Sequence, residues 1–197
     1  MPNYNINTRR DLLGYRYLSS RCFYQPAVYG EPCRHLYFGR TPRLELNFPS
    51  LPVQPAHIPD LANILGVTPL FCGSNQIHYL LEVESEDIVR NLKPDFNALS
   101  NFPVPGIMIT SISKGDFDFI SRYFAPSVGN NEDPVTGSAH CILGPYWQQR
   151  LGKNTFTTYQ ASARGGIIKV TVQDDRVFLS GQAVTVLECT MIDSCAK

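Results

Sequence analysis

The chain of 197 residues carries no excess charge of either sign, because 17 Lys and Arg offset 17 Asp and Glu. Without a basic field it has no long-range attraction for nucleic acid or an anionic bilayer, so any ligand must be recognised locally. Long apolar runs are missing too; none approaches the roughly 20 residues needed to cross a bilayer as a helix. The first residues, Met1 to Tyr15, are polar and include Arg9, Arg10 and Asp11, with no apolar centre like that of a secretory signal. Six cysteines (Cys22, Cys33, Cys72, Cys141, Cys189, Cys195) show no metal-type pair spacing. With no secretory signal they read as reduced thiols rather than a disulfide framework. The expectation is a cytoplasmic protein with no nucleic-acid and no membrane partner, and no bound metal.

What is present is a globular composition, 43% apolar and 17% charged, in a chain long enough for a real core. Residues 1–40 show no sustained periodicity, and Pro26, Gly30 and Pro32 interrupt any long element, so an irregular segment is expected there. The folded domain is expected over residues 41–197. Leu44-Glu45-Leu46-Asn47-Phe48 alternates and meets Pro49, which reads as a strand. Ile58 to Leu65 suits a short helix with Pro59 in its first turn and Gly66 past its end. Ile77 to Val83 reads as a strand. Ser85 caps a helix running to Lys93, with Glu86 and Asp87 where the helix dipole favours acids. Gly106–Ile112 and Phe117–Phe124 are strands joined at Lys114-Gly115-Asp116. Thr155–Gln160, Ile167–Gln173, Val177–Ser180 and Ala183–Cys189 complete a strand run, with turns at Asp174-Asp175 and Gly181. Phe71-Cys72-Gly73-Ser74-Asn75 reads as a structural loop. The succession makes an α+β chain.

The stretch richest in chemistry is Asn131-Glu132-Asp133-Pro134-Val135-Thr136-Gly137-Ser138-Ala139-His140. Ala139, Ile142, Leu143, Tyr146, Trp147 and Leu151 follow at helical spacing, mostly on one face, and Gly152 ends the pattern. A loop bearing a carboxylate and two hydroxyls therefore runs into a helix N-terminus. The first amides of a helix lack internal partners and its dipole attracts anions, so a site for a small carboxylate is one reading. An Asp or Ser that simply caps its own helix is the other.

Several motifs occur in order: Ser121-Arg122-Tyr123-Phe124-Ala125-Pro126, Glu132 to His140, Pro145-Tyr146-Trp147, Leu151-Gly152-Lys153, Gln160-Ala161-Ser162-Ala163-Arg164-Gly165-Gly166 and Gly181 to Leu187. Over roughly Arg40 to Met191 the chain resembles the PhzF-like isomerase family of phenazine biosynthesis, which has the diaminopimelate epimerase-like fold. The resemblance implies a mixed or antiparallel sheet wrapped around a central helix at about 138–151. It further implies a proton shift on a small carboxylate substrate with no cofactor. By carry-over Asp133 is the catalytic candidate, while Gly137, Ser138, Ala139 and His140 are the substrate-binding ones. The family's first half, with its acid–base Glu, has little counterpart here, and Cys33-Arg34-His35 only faintly echoes its Cys-Gly-His segment. Most of that half is expected to be missing, with a homodimer supplying the lost packing. The alternative is a non-catalytic binding or self-association module derived from such an isomerase. Arg164-Gly165-Gly166 is expected to form a tight turn.

Overall fold

A computed structural model describes residues 43–75 and 77–182, with the backbone alone of four short strands before them. The chain divides into two compact units, Met1–Phe48 with Ser180–Lys197, and Pro49–Leu179. In the first, β1 (Thr8–Arg10), β2 (Arg16–Leu18) and β3 (Cys22–Tyr24) form an antiparallel sheet in that order. β4 (Arg34–Phe38) pairs antiparallel with β5 (Arg43–Pro49), the strand expected at Leu44–Phe48. The stretch expected to be irregular thus holds strands, three of them too short for a period of two to register. Glu45 on β5 accepts a hydrogen bond from Ser180 Oγ at 2.9 Å. The strand expected over Ala183–Cys189 lies outside the described residues.

The second unit runs β6 (Gln54–Pro55), α1 (Pro59–Leu65), β7 (Phe71–Ser74), β8 (His78–Glu82), α2 (Glu86–Asn91), α3 (Phe96–Leu99), β9 (Gly106–Ile112), β10 (Phe119–Phe124), a 3-10 turn (Pro126–Val128), α4 (Gly137–Leu151), β11 (Thr155–Gln160), β12 (Gly166–Gln173) and the start of β13 (Arg176–Gln182). Local chemistry sets the helix ends. Pro59 opens α1 and Gly66, at φ 65°, closes it. Ser85 Oγ accepts from Ile88 N to cap α2, and Asp95 does the same for α3 through Ala98 N. Two readings are corrected: Phe71–Ser74 is a strand rather than a loop, and Gly181 lies within β13 rather than at a turn.

The strand order is β13-β12-β11-β10-β9-β8-β7-β6. β8 runs parallel to β9 and β10 parallel to β11, while β9 and β10 are antiparallel. That reversal has a consequence for the helices. Crossovers between parallel strands are right-handed. Two successive crossovers in the same lateral direction, one from an up strand and one from a down strand, must therefore leave by opposite faces of the sheet. Accordingly, the β8–β9 crossover puts α2 and α3 on the outer face, where Val89 and Leu99 join Leu61 and Leu65 of α1 over Leu81, Ile107, Ile109, Ile120 and Phe124. The β10–β11 crossover puts α4 on the inner face. With both faces covered, β9 and β10 lose the alternation of a half-exposed strand and are buried almost throughout.

α4 is buried all round rather than on one face: every residue from Ala139 to Trp147 is buried. Six strands reach it. Phe71 of β7 and Glu82 of β8 meet Tyr146, and Thr110 of β9 accepts from Trp147 Nε1 at 3.1 Å. Phe119 of β10 stacks on Trp147 at 5.4 Å, while a Cβ on Gly144 would lie 3.0–3.6 Å from Val170 and Val172 of β12 and Val177 of β13. Seven flat strands would span roughly 30 Å, some three helix diameters, so the sheet has to curl around the helix. Pro145 inside α4 leaves the Cys141 carbonyl without its helical donor, and Leu51 N supplies the missing bond at 2.9 Å. Among the described residues no helix is long and apolar enough to cross a membrane.

Trp147 is the test of this packing. Trp147→Phe forfeits the Thr110 bond and is expected to cost about 1–2 kcal/mol, whereas Trp147→Ala opens a cavity and costs about 3–5 kcal/mol. Urea titration followed by far-ultraviolet circular dichroism reads both, because Trp147 is the only tryptophan and its fluorescence is lost with it. A Trp147→Ala cost below 1 kcal/mol would contradict a close-packed α4.

Candidate active site

The Asn131–His140 stretch carries the chain from the end of β10 to the start of α4. Thr136 occupies the N-cap position of α4 with extended backbone (φ −115°, ψ 108°), yet its side chain makes no capping bond. Its hydroxyl instead donates to Asp133 Oδ2 at 2.5 Å. Neither Asp133 nor Ser138 caps the helix, so the simple-cap reading does not hold. The N-cap amide, Thr136 N, is taken by Gln160 Oε1 at 2.8 Å. The next three amides, those of Gly137, Ser138 and Ala139, have no partner among the described residues and stand as the first-turn donors of the helix. The positive end of a 15-residue helix adds to their attraction for an anion.

Asp133 is half-buried, and its Oδ1 accepts no hydrogen bond from the described residues. Its backbone is pinned on both sides, N donating to Tyr123 O at 3.0 Å and O accepting from Gln160 Nε2 at 2.7 Å. Pro134 O accepts from Ser162 Oγ at 2.8 Å, and the same Oγ accepts from Gly165 N at 3.0 Å. Gly165 sits at φ 70° in the β11–β12 connection, near the turn expected at Arg164-Gly165-Gly166, whereas Gly166 already belongs to β12, paired with Gln160. Arg164 makes no ion pair among the described residues.

The preceding residue, Glu132, is gripped by Arg122 of β10. Nε reaches Oε1 at 2.7 Å and Nη2 reaches Oε2 at 3.0 Å, a bidentate pair. Nη1 donates to the carbonyls of Val89 and Leu92 at the end of α2, and the guanidinium lies 5.0 Å from the Phe124 ring centroid. The loop is thus tied to the outer helix layer as well as to β11. Sequence reading passed over Thr136, Gln160 and the Arg122–Glu132 pair as working residues, although the motifs contain them. Their partners are 3, 24 and 10 residues away, and only the Thr136–Asp133 spacing carries a local signal.

Of the four substrate-binding candidates, Gly137 and Ser138 are partly exposed at the helix start, whereas Ala139 and His140 are buried. Ala139 contributes only its amide. His140 Nδ1 lies 2.8 Å from Thr136 O, an acceptor, so Nδ1 carries the proton; its ring stacks against Phe119. Its Nε2 is buried with no partner among the described residues. Burial pushes its pKa down to about 4, against a smaller upward pull from the Thr136 bond. His140 is therefore a neutral strut beneath the helix start. Neither of two shallow surface depressions, of about 440 and 590 Å³, is lined by any residue of the 131–140 loop. No His, Cys, Asp and Glu cluster suited to a metal ion occurs among the described residues.

The His140 assignment gives a pH prediction. His78 is also buried, and burial lowers its pKa to about 4. Both histidines are neutral when folded, while the unfolded chain binds protons near pH 6.5, so stability present above pH 6.5 is lost as pH falls toward 4. Each contributes a slope of up to about 1.4 kcal/mol per pH unit in that window. Urea titrations at pH 7, 6 and 5 should show His140→Asn with a shallower loss than wild type. An identical slope would mean that His140 is protonated in the fold.

The family model described as PhzC-PhzF, phenazine biosynthesis-like protein, matches residues 56–189. An uncharacterized isomerase of Halalkalibacterium halodurans is 53% identical over 152 residues, covering 76% of this chain and 57% of that protein. A phenazine biosynthesis-like domain-containing protein of Homo sapiens is 38% identical over 166 residues, covering 72% of this chain and 57% of its own length. The crystal structure of a PhzF-family protein from Enterococcus faecalis aligns at a TM-score of 0.70 with 31% identity, over 79% of this chain and 63% of that one. The chain spans less than two thirds of the length of each. The fold is the expected α+β, diaminopimelate epimerase-like type.

Proposed function

The chain belongs to the PhzC-PhzF, phenazine biosynthesis-like family, and on that premise we propose that it is an isomerase that shifts a proton within a small carboxylate substrate. The observation that carries this reading is the uncapped start of α4 directly beside Asp133, with the would-be capping hydroxyl of Thr136 turned onto the carboxylate instead. The substrate carboxylate sits on the amides of Gly137, Ser138 and Ala139, with the Ser138 hydroxyl as a further donor. Asp133 takes a proton from a carbon activated by that carboxylate or by conjugation with it, then returns it to another carbon of the same substrate.

The chemistry moves a proton and rearranges a double bond within one molecule, so electrons balance without a redox partner or transferred group. Using Asp133 alone, the proton leaves and returns on the same face of the substrate. Inversion at a single carbon, by contrast, calls for a second acid on the opposite face. A same-face shift is therefore the reaction favoured by the described residues.

The test is solvent deuterium incorporation into a panel of β,γ-unsaturated and α-hydrogen carboxylates, read by mass spectrometry. Wild type should incorporate deuterium into at least one class. Asp133→Asn keeps an oxygen for Thr136 to donate to, and should lower the rate by about 10²–10⁴-fold. Absence of uptake across the panel, or a variant as fast as wild type, would overturn the assignment.

A further inference from the structure

We infer that Gln160 and Thr136 are positioning residues that fix which oxygen of Asp133 carries the transferred proton, an inference that rests on Asp133 being the acid–base group. Gln160 is the last residue of β11, fully buried and in register with Ser121 of β10. Its amide orientation is forced by its neighbours. Thr136 N can only donate, and it faces one end of the amide at 2.8 Å, so that end is the oxygen. Asp133 O can only accept, and it faces the other end at 2.7 Å, so that end is the NH₂ group. A flipped amide would oppose donor to donor and acceptor to acceptor at once.

The second hydrogen of that NH₂ group points at Thr136 Oγ1, 3.1 Å away. The Thr136 oxygen is therefore an acceptor on the Gln160 side. Its single hydroxyl hydrogen is left for its other neighbour, Asp133 Oδ2, at 2.5 Å. Hydrogen-bond direction thus runs one way, from Gln160 to Thr136 to Asp133. Oδ2 is held as an acceptor, since a proton there would meet the hydroxyl hydrogen head on. Proton uptake and release are confined to Oδ1, the oxygen that no described residue engages. Through this chain, a buried amide that touches no substrate decides where on the carboxylate the chemistry occurs. Ser162 cannot substitute, because its hydroxyl is committed to Pro134 O and Gly165 N.

Gln160→Glu is the near-isosteric test in the full chain. The ionised Glu still accepts from Thr136 N, but it draws the Thr136 hydroxyl toward itself and away from Asp133. Deuterium uptake should show kcat lowered by about tenfold or more with KM moved less than about threefold. Thr136→Val should behave alike, and Thr136→Ser, which keeps the hydroxyl, should return kcat to within about threefold of wild type. A merely structural role would not be rescued by hydroxyl chemistry alone. A second readout needs no activity: the two side-chain amide protons of Gln160, followed by nitrogen-edited NMR, should both be protected from solvent exchange in wild type. One of them should lose protection in Thr136→Val and keep it in Thr136→Ser. If wild type incorporates no deuterium, the isomerase assignment falls, and the NMR result alone upholds or overturns the hydrogen-bond direction. Gln160→Glu turning over at the wild-type rate, or amide protons unchanged in Thr136→Val, would overturn the inference.

Discussion

A helix with no side left for water is the constraint from which the second unit follows. Because α4 is buried from Ala139 to Trp147, strands on every side must reach it, and the sheet curls to do so. Burial also obliges each polar group along the helix to find a partner. Trp147 finds Thr110, and Tyr146 donates to the buried Glu82, which Arg150 also pairs at 2.9 Å. Burial, and then the Glu82 bond, push the Tyr146 hydroxyl above its usual pKa, so it remains a donor. The Cys141 carbonyl, deprived of its donor by Pro145, is met by Leu51. At the far end, Gly152 in left-handed geometry and Arg150 in the last turn close the helix. Among the described residues, the amides of the first turn are left without partners, which is why the proposed site is placed there.

The loop leading into that turn is held by two independent anchors facing opposite sides of the sheet. On the outer side, Arg122 joins Glu132 to the last carbonyls of α2. A paired charge with both Nη1 donors also taken is tolerated in such a place, whereas either partner alone would be strongly destabilising. On the inner side, Gln160 brackets Asp133 and Thr136. Asp133 stands between the two, so its position is set by the sheet and not by the loop's own preferences. Each bond contributes only about 1 kcal/mol net. Their joint effect is to remove the freedom of the carboxylate before any ligand arrives.

Much of the fold was legible because local chemistry and periodicity agree with it. Pro59 and Gly66 delimit α1, Ser85 and Glu86 open α2, and Gly152 closes α4. Misreadings arose where a residue serves a distant neighbour. Gly73 suggested a loop, yet a Cβ there would lie 2.7 Å from the Phe71 ring and 3.0 Å from Val53, so the glycine answers to packing within a strand. The helical spacing of Ala139, Ile142, Tyr146 and Trp147 suggested one apolar face, because Gly144, Pro145 and His140 do not count as apolar in such a pattern. All three are buried, with His140 Nδ1 satisfied by Thr136 O. The site was legible as a motif but not as a mechanism. A Thr at an N-cap is ordinarily read as a cap; only Gln160, 24 residues on, explains why its hydroxyl turns to Asp133 instead.

The glycines after β11 extend the same logic from hydrogen bonds to shape. A Cβ on Gly166 would lie 2.3 Å from Val135 Cγ2, and one on Gly165 would lie 2.0 Å from the Tyr159 hydroxyl. Val135 sits two residues after Asp133, so bulk at 166 would push the loop directly. Tyr159 is itself held, stacked on Phe117 at 5.1 Å with the Arg90 guanidinium 5.5 Å from its ring centroid, and cannot readily yield to a side chain at 165. The β11–β12 turn therefore has to be bare for the loop to settle against it. Ser162 then fastens the two together through Pro134 O and Gly165 N. Preorganised donors stabilise developing charge only if they do not have to move when it appears. On the proposed reading, the first-turn amides of α4, which no described residue engages, meet that condition because the loop before them is packed on one side by glycine and bonded on the other by glutamine.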